Sequence, residues 1–177
     1  MSAERQSVLR VLLILAVTTL GTAPGNAGAA ASPPTNSGQN LAIIVNQSNP
    51  VENLSSTELR RIFLGERSHW PNGRRITLVM MQPGEPERDA VLREVCRMSE
   101  KDFNNHFLHG LFTGEVFASP KTLASPVGVR KFVFNVPGAI GYLRTSDVDA
   151  SVKVVRIDGL LPSDRDYKIQ VQARSAK

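Results

Sequence analysis

ITLVMMQPGEPERDAVLREVCRM, residues 76–98, passes directly from a strand pattern into a helix pattern. Residues 76–81 form a continuous apolar run, which is typical of a strand that is buried on both faces. A Pro-Gly turn follows, and Pro86 suits the first turn of a helix. A strand that runs into a helix in this way is the building unit of an α/β sheet. The apolar face of the predicted helix consists of Val91, Leu92, Val95 and Met98.

The same alternation extends in both directions along the chain. LAIIVN (41–46), AIGYL (139–143) and VKVVRI (152–157) predict further strands, and the alternating run YKIQVQA (167–173) predicts an edge strand. Helical crossovers are expected after the first two strands. This order predicts an α/β domain with a mixed, largely parallel sheet and helices on both of its faces.

Capping residues predict three more helices. Ser55 begins the first of them, and Glu58 is placed three residues later for a capping box. Ser99 begins the second helix, which ends at Gly114, and Ser125 begins the third. The buried side of the second helix is predicted to consist of Phe103, Phe107, Leu108 and Leu111.

The first 31 residues have the pattern of a secretory signal. Arg5 and Arg10 precede the short apolar run VLLILAVTTL (11–20), and small residues follow at a suitable cleavage site. This run is far shorter than the roughly 20 apolar residues that cross a bilayer. We therefore predict a cleaved signal over 1–31, a flexible linker over 32–40 and a single domain over 41–177. The mature protein is expected to be periplasmic or secreted, with no membrane span.

Charge and composition argue against two classes of protein. The formal net charge of +5 comes from dispersed basic residues, and aromatic residues make up only 6% of the chain, so nucleic-acid binding is not expected. The single cysteine, Cys96, cannot form an internal disulfide and is predicted to be a small core residue. The sequence therefore gives no indication of redox chemistry.

No motif for catalysis or metal binding is found. The G-x-S-x-G nucleophile motif is absent, and Cys96 has no evident base partner. His106 and His109 are spaced for one helix face, but a zinc site normally needs three or four protein ligands and no third is near in sequence. We predict that the protein is not an enzyme and that it has neither a metal nor a cofactor.

The turn around Gly84 is a candidate anion site. A turn from a strand into a helix presents backbone N–H groups to an anion, and a glycine lets the anion approach. However, Glu85 and Glu87 are placed to satisfy these donors from within the chain, and their charge repels a phosphate. Arg88 is the only nearby cation in the sequence.

Four segments together resemble a known family. They are VNQSNPVENLSSTELRRIFLGERSHWPNG (45–73), PGEPERDAV (83–91), LFTG (111–114) and PGAIGYL (137–143), in this order. They resemble the phosphate-binding-protein-like branch of the periplasmic type 2 substrate-binding proteins of ABC transporters, over roughly residues 41–160. The resemblance implies a two-lobed α/β protein that captures phosphate or a similar oxyanion between its lobes and delivers it to a membrane permease. Here the domain would be a short form with one lobe and the hinge strands.

The resemblance also implies ligand groups, and the turn after the second predicted strand departs from the family pattern. Met81 stands near the expected arginine of the ligand turn, and Glu85 near the expected serine. The charge-assisted donors that would fix an oxyanion are therefore lost or reversed. The remaining candidate ligand groups are Ser48, Asn49, Gly84, Arg88 and Thr113.

Two functions follow as expectations. The first is an exported solute-binding module whose affinity for phosphate or another oxyanion is weak or lost, with an ABC permease as partner. The second is a one-lobe envelope module whose exposed hinge face binds another envelope protein or a second copy of the chain, because large exposed apolar patches usually have a partner.

Overall fold

The computed structural model describes residues 39–172 of the chain. The predicted signal, most of the predicted linker and the last five residues lie outside the described residues. Within the linker, Gln39 and Asn40 contact the C-terminal segment: Gln39 O accepts from the amide of Val171 at 2.8 Å, and Asn40 pairs with Gln170. No helix among residues 39–172 is long and apolar enough to cross a membrane.

The described chain contains both strands and helices, together with a π-type turn at Leu92–Cys96 and a short 3-10 turn at Thr145–Asp147. In chain order the elements are β1 (Leu41–Asn46), β2 (Asn53–Leu54), α1 (Ser56–Phe63), β3 (Thr77–Met81), α2 (Pro86–Val91), α3 (Glu100–Thr113), β4 (Lys121–Leu123), α4 (Pro126–Asn135), β5 (Ala139–Arg144), β6 (Val152–Val154) and β7 (Arg156–Ile157).

The main sheet has five strands in the order β4-β3-β5-β1-β6. β3 pairs in parallel with both β4 and β5, whereas β1 pairs antiparallel with β5 and β6. Four strands therefore run in one direction and β1 opposes them, so the predicted mixed, largely parallel α/β sheet is confirmed. The expected first crossover is wrong, because β1 and β3 are not adjacent and run in opposite directions. β2 and β7 form a separate parallel pair.

Helices cover both faces of the sheet. Gly141 and Tyr142 are neighbours on β5 and therefore point to opposite faces. Val129 of α4 lies against Gly141, and the Tyr142 ring lies 6.2 Å from the ring of Phe63 on α1. All six residues of β1 are buried, as the continuous apolar run predicts for a strand that is covered on both sides.

The predicted helix caps are confirmed. Ser55 and Glu58 form a capping box at the start of α1, since the Ser55 side chain accepts from the Glu58 amide and the Glu58 carboxylate accepts from the Ser55 amide. The side chains of Ser99 and Ser125 cap α3 and α4 by accepting from the amides of Asp102 and Gly128, and Gly114 ends α3 with a φ of 77°. These caps depend on residues three or four positions apart, which is why the sequence predicts them well.

Several predicted details are wrong. Leu108 and Leu111 are exposed, because α3 packs through a narrow stripe at Phe103, Phe107 and Gly110. At Gly110 the helix lies so close to the segment that follows it that a Cβ added to Gly110 would be only 2.6 Å from the Val116 side chain. The run at 167–172 forms a single bridge rather than a strand, and the run at 152–157 is divided between β6 and β7. The short strands β2 and β4 carry no pattern that predicts them.

Cys96 is a core residue, as predicted. It is fully buried, and this burial raises the pKa of its thiol to about 12. The thiolate form, which is the reactive one, is therefore disfavoured at neutral pH.

Candidate functional site

The carboxyl ends of β3, β4 and β5 lie at one edge of the sheet, because these strands are parallel. We call this the carboxyl edge. The turn 82–85 follows β3 there, and Arg144 ends β5 there. Loops at the carboxyl ends of parallel strands are where open α/β sheets bind ligands, so this edge is the candidate site.

Gly84 is required by the turn that joins β3 to α2. Pro83 and Gly84 are its two central residues, the φ of Gly84 is 90°, and the Glu85 amide donates to Gln82 O at 3.4 Å. A type II turn has proline and then glycine in this order, with a positive φ at the glycine. The Gly84 Cα faces open space, because an added Cβ would have no atom within 4 Å.

The two glutamates at the start of α2 do not cap it. Glu85 is the N-cap residue, but its side chain makes no capping hydrogen bond and instead accepts from Gln82 Nε2 at 3.2 Å. Glu87 is buried and forms an ion pair with Arg144 at the end of β5. The expectation that these carboxylates satisfy the helix-start donors is wrong, and Glu87 neutralises a cation of the carboxyl edge instead.

Arg88 is held by three internal contacts. Its Nε and one terminal nitrogen donate to the two carboxylate oxygens of Glu100 at 2.8 and 2.9 Å, and its other terminal nitrogen donates to Met81 O at 2.9 Å. The guanidinium lies 5.5 Å from the Phe103 ring centre, and its side chain is only 5% exposed. A two-point Arg–carboxylate pair is among the stronger charge-assisted contacts, so Arg88 is already occupied.

The Arg88 pair predicts acid sensitivity. Hydrogen bonding from Arg88 lowers the pKa of Glu100 from its ordinary value, which is about 4.3 in an unfolded chain. The ionised Glu100 therefore stabilises the folded protein fully above its unfolded pKa, and this contribution is lost as the pH falls through its folded pKa. We expect the free energy of unfolding to fall more steeply between about pH 5 and pH 3 in the wild type than in Glu100→Gln, measured by urea denaturation at each pH. Equal slopes in both proteins would contradict this prediction.

Ser48 and Asn49 lie at the opposite edge of the sheet. They follow β1, which runs against β5, so they lie beside the start of β5 and not its end. Ser48 Oγ donates to Asn46 Oδ1 at 2.8 Å and accepts from Arg74 at 2.9 Å. Asn49 is buried, its Oδ1 accepts from the Val51 amide at 3.0 Å, and its Nδ2 has no partner among the described residues.

Thr113 is also remote from the carboxyl edge. It is the last residue of α3, whose first residue, Glu100, contacts Arg88. A helix rises about 1.5 Å per residue, which places Thr113 about 20 Å along the axis from Glu100. Its hydroxyl donates to His109 O at 3.2 Å. Of the five candidate ligand residues, the structure therefore brings together only Gly84 and Arg88.

Sequence reasoning missed the partners of the two arginines. Arg144 could have been found as the charged residue that ends a predicted strand, but nothing in the sequence assigns Glu87 to it, 57 residues away. His106 and His109 do not form a joint site. His106 Nε2 lies 2.9 Å from Leu64 O, whereas His109 is exposed. Residues 39–172 contain no group of three or more His, Cys, Asp and Glu that could hold a metal ion.

A cavity of about 280 Å³ lies beside Arg88, on the flank of α3. Both polar and apolar side chains line it, and the Arg88 donors face Glu100 and Met81 rather than free space. A larger cavity of about 580 Å³ lies between α1 and the C-terminal segment. It is lined by charges of both signs, which gives no preference for an anion: Arg60, Glu94, Arg97, Asp158, Asp166 and Lys168.

No protein-family model matches the sequence, but solved structures share the fold. A phosphate ABC transporter substrate-binding protein from Clostridium perfringens, with bound phosphate, is 23% identical with a TM-score of 0.61, over 74% of this chain and 52% of that one. PstS from Borrelia burgdorferi is 13% identical with a TM-score of 0.59, over 75% and 55%. An ABC-type phosphate transport receptor from Vibrio cholerae is 21% identical with a TM-score of 0.51, over 70% and 48%.

The chain spans about half the length of these three structures. Its α/β sheet thus matches one lobe of the phosphate-binding proteins of ABC transporters, and the fold that the sequence resemblance implied is confirmed. At these identities the likeness concerns the fold, and function has to be argued from the site itself.

Proposed function

We propose that this chain is an exported, non-enzymatic binding module related to the phosphate-binding proteins of ABC transporters, with an oxyanion site at the carboxyl edge that is weak or lost. The fold shared with phosphate-binding proteins supports the relationship, and the signal pattern in residues 1–31 supports export. An ABC permease would be its partner if transport is retained, and the periplasm or the exterior its location.

The pairing of two arginines with carboxylates of the same chain carries the proposal. Arg144 is paired with Glu87, and Arg88 is paired with Glu100. An oxyanion that bound either guanidinium would have to displace a carboxylate that is already in place, and would leave that carboxylate partly buried without a partner. Losing one partner of a buried ion pair costs about 3–5 kcal/mol, which is most of the binding free energy of a weak ligand.

Backbone donors compensate little for this loss. The Gly84 turn is open to solvent, but α2 has only six α-helical residues before the π-type turn. The negative charge of Glu85 also opposes an anion at the start of that helix. We therefore expect millimolar or weaker affinity for inorganic phosphate.

Calorimetric titration of the purified protein with phosphate tests the proposal. The wild type is expected to bind with a Kd of about 1 mM or weaker, and Glu87→Gln at least tenfold more tightly, because it frees Arg144. Glu94→Gln, which alters the exposed pair with Arg93, is the matched control and is expected to behave like the wild type.

Two results would overturn parts of this account. Micromolar binding by the wild type would mean that the internal carboxylates do not block the site. No binding by the wild type or by a correctly folded Glu87→Gln variant would mean that the carboxyl edge is not an oxyanion site.

A second candidate function is an envelope module that binds proteins. The observation in its favour is a set of large apolar side chains that are at least 42% exposed: Leu108, Leu111, Phe112, Phe117, Val127 and Phe134. Isolated exposed apolar residues are normal, but neighbouring ones indicate an interaction surface. The exposed group on α3 differs from the hinge face that the sequence led us to expect.

A further inference from the structure

The cavity between α1 and the C-terminal segment combines an apolar lining with charged groups. Its volume is about 580 Å³, within the range of roughly 300–1,000 Å³ that is usual for small-molecule sites. The apolar residues of its lining are Leu59, Val95, Ile157, Leu160, Tyr167 and Ile169. A ligand with an apolar body can therefore remove part of its surface from water there.

The charges at one end of this cavity do not attract an anion. The Asp158 carboxylate accepts from the Ser56 amide at 2.9 Å and from the Ser56 hydroxyl. These hydrogen bonds, together with the nearby charge of Lys168, lower the pKa of Asp158. Asp166, which is exposed, lies two residues before Lys168 and also lines the cavity. This end therefore has two carboxylates and one ammonium group.

The other end of the cavity has two arginines, Arg60 and Arg97. Both are exposed, and neither side chain forms an ion pair or a hydrogen bond within residues 39–172. Burial raises the pKa of the Cys96 thiol and the charge of Arg60 opposes this rise, so Arg60 lies near the residue that precedes Arg97. The carboxylate at this end, Glu94, already accepts from Arg93 at 2.7 Å. Two guanidinium groups are thus open to a ligand.

The backbone conformation of Arg97 is a second, independent observation. Arg97 follows the π-type turn with a φ of 55° and a ψ of 45°, a left-handed conformation that usually has glycine at the end of a helix. Asp158 is the other non-glycine residue within 39–172 that has a positive φ, and its side chain binds Ser56. The Arg97 side chain has no such structural contact. An unfavourable conformation that is kept without a structural reason indicates a functional role.

We propose that this cavity binds an amphipathic carboxylate, with the carboxylate at Arg60 and Arg97 and an apolar chain along the apolar lining. Arginine is suited to this role because its guanidinium can donate to both oxygens of a carboxylate. The charges of the whole lining cancel, so an inorganic anion gains little there, and burial of the apolar chain supplies most of the affinity. This inference goes beyond the oxyanion proposal, because it uses no residue of the carboxyl edge.

Calorimetric titration with three related compounds tests the ligand class. Octanoate, used below the concentration at which it forms micelles, is expected to bind saturably at one site. Butanoate is expected to bind at least tenfold more weakly because it lacks four methylene groups. Octanamide is expected to bind at least fivefold more weakly because it has the same chain without the charge. The absence of saturable octanoate binding would overturn the proposal, as would equal affinity for octanoate and octanamide.

Substitution of the arginines tests the position of the carboxylate. Arg97→Gly is expected to weaken octanoate binding at least fivefold with an unchanged or higher Tm, because glycine suits the left-handed conformation. Opposite changes in affinity and Tm exclude misfolding as the cause. Arg60→Gln is expected to weaken binding similarly. Arg61→Gln, which alters an exposed pair with Glu66 outside the cavity, is the matched control. Wild-type octanoate affinity in both Arg97→Gly and Arg60→Gln would overturn the proposal.

The Glu87→Gln variant separates this site from the carboxyl edge. Glu87 does not line the cavity, so octanoate is expected to bind Glu87→Gln as it binds the wild type. A change in octanoate affinity in this variant would place the ligand at the carboxyl edge and overturn the proposal. Failure of the phosphate titration would leave the octanoate result unaffected, because the two tests use different residues.

Discussion

Replacing Gly138 with alanine is expected to lower the free energy of unfolding by about 3 kcal/mol, because the new methyl group has no space. An ideal Cβ at this position would lie 2.1 Å from the carbonyl oxygen of Arg75. That oxygen belongs to the backbone, so a side-chain rotation cannot relieve the clash. Gly138 O also accepts from the Thr77 amide and from Trp70 Nε1, both at 3.0 Å, and a backbone shift would weaken both bonds.

Urea denaturation measures this loss against a matched glycine. Gly84→Ala is the control, because Gly84 has a positive φ but open space around it. A left-handed alanine costs about 1–2 kcal/mol, so Gly84→Ala is expected to cost less than Gly138→Ala. If the two variants lost the same stability, the close approach of Gly138 to Arg75 would not be a feature of the folded protein.

Glu100→Ala is expected to lower the free energy of unfolding by about 3 kcal/mol, because it leaves the Arg88 guanidinium buried without a counter-charge. The Arg88 side chain is only 5% exposed, so without Glu100 its charge is largely removed from solvent. Adding Arg88→Met should recover more than half of the loss, since an apolar side chain of similar length can occupy the same space.

Glu94→Ala is the matched control for this prediction. Glu94 and Glu100 are both 32% exposed, but the arginine partner of Glu94 is 41% exposed. Exposed pairs contribute about 0–1 kcal/mol, so Glu94→Ala is expected to be nearly neutral. Chemical denaturation of the three variants at neutral pH separates the cases. A loss in Glu100→Ala no larger than in Glu94→Ala would show that Arg88 is not stabilised by this pair.

The sequence predicted those parts of the fold that depend on neighbours along the chain. Ser55, Ser99 and Ser125 begin helices because their side chains reach amides only three residues away. The buried run 41–46 was recognisable because it has no polar side until its last residue. The direction of that strand was not predicted, because it depends on pairing with β5, which lies far along the chain.

The candidate site was less predictable for the same reason. Ser48 and Asn49 were grouped with Gly84 and Arg88 by resemblance, but the reversed direction of β1 places them at the other edge of the sheet. The pairing of Glu87 with Arg144 joins two elements that are remote in sequence. Leu108 and Leu111 are exposed because α3 packs closely against Val116 at Gly110. The spacing of apolar residues in α3 does not predict this packing.

The position of β1 has a consequence for how the chain folds. β1 is early in the chain but lies between β5 and β6, and Leu41 pairs with Arg144 about a hundred residues later. A contact between residues so far apart in sequence must close a long loop, and the entropy lost in closing that loop makes folding slow. β1 therefore has no lateral partner until residues 140–144 of β5 have been synthesised. The sheet is completed only after most of the chain has left the ribosome, and the nascent polypeptide exposes LAIIVN as an unpaired segment during that interval.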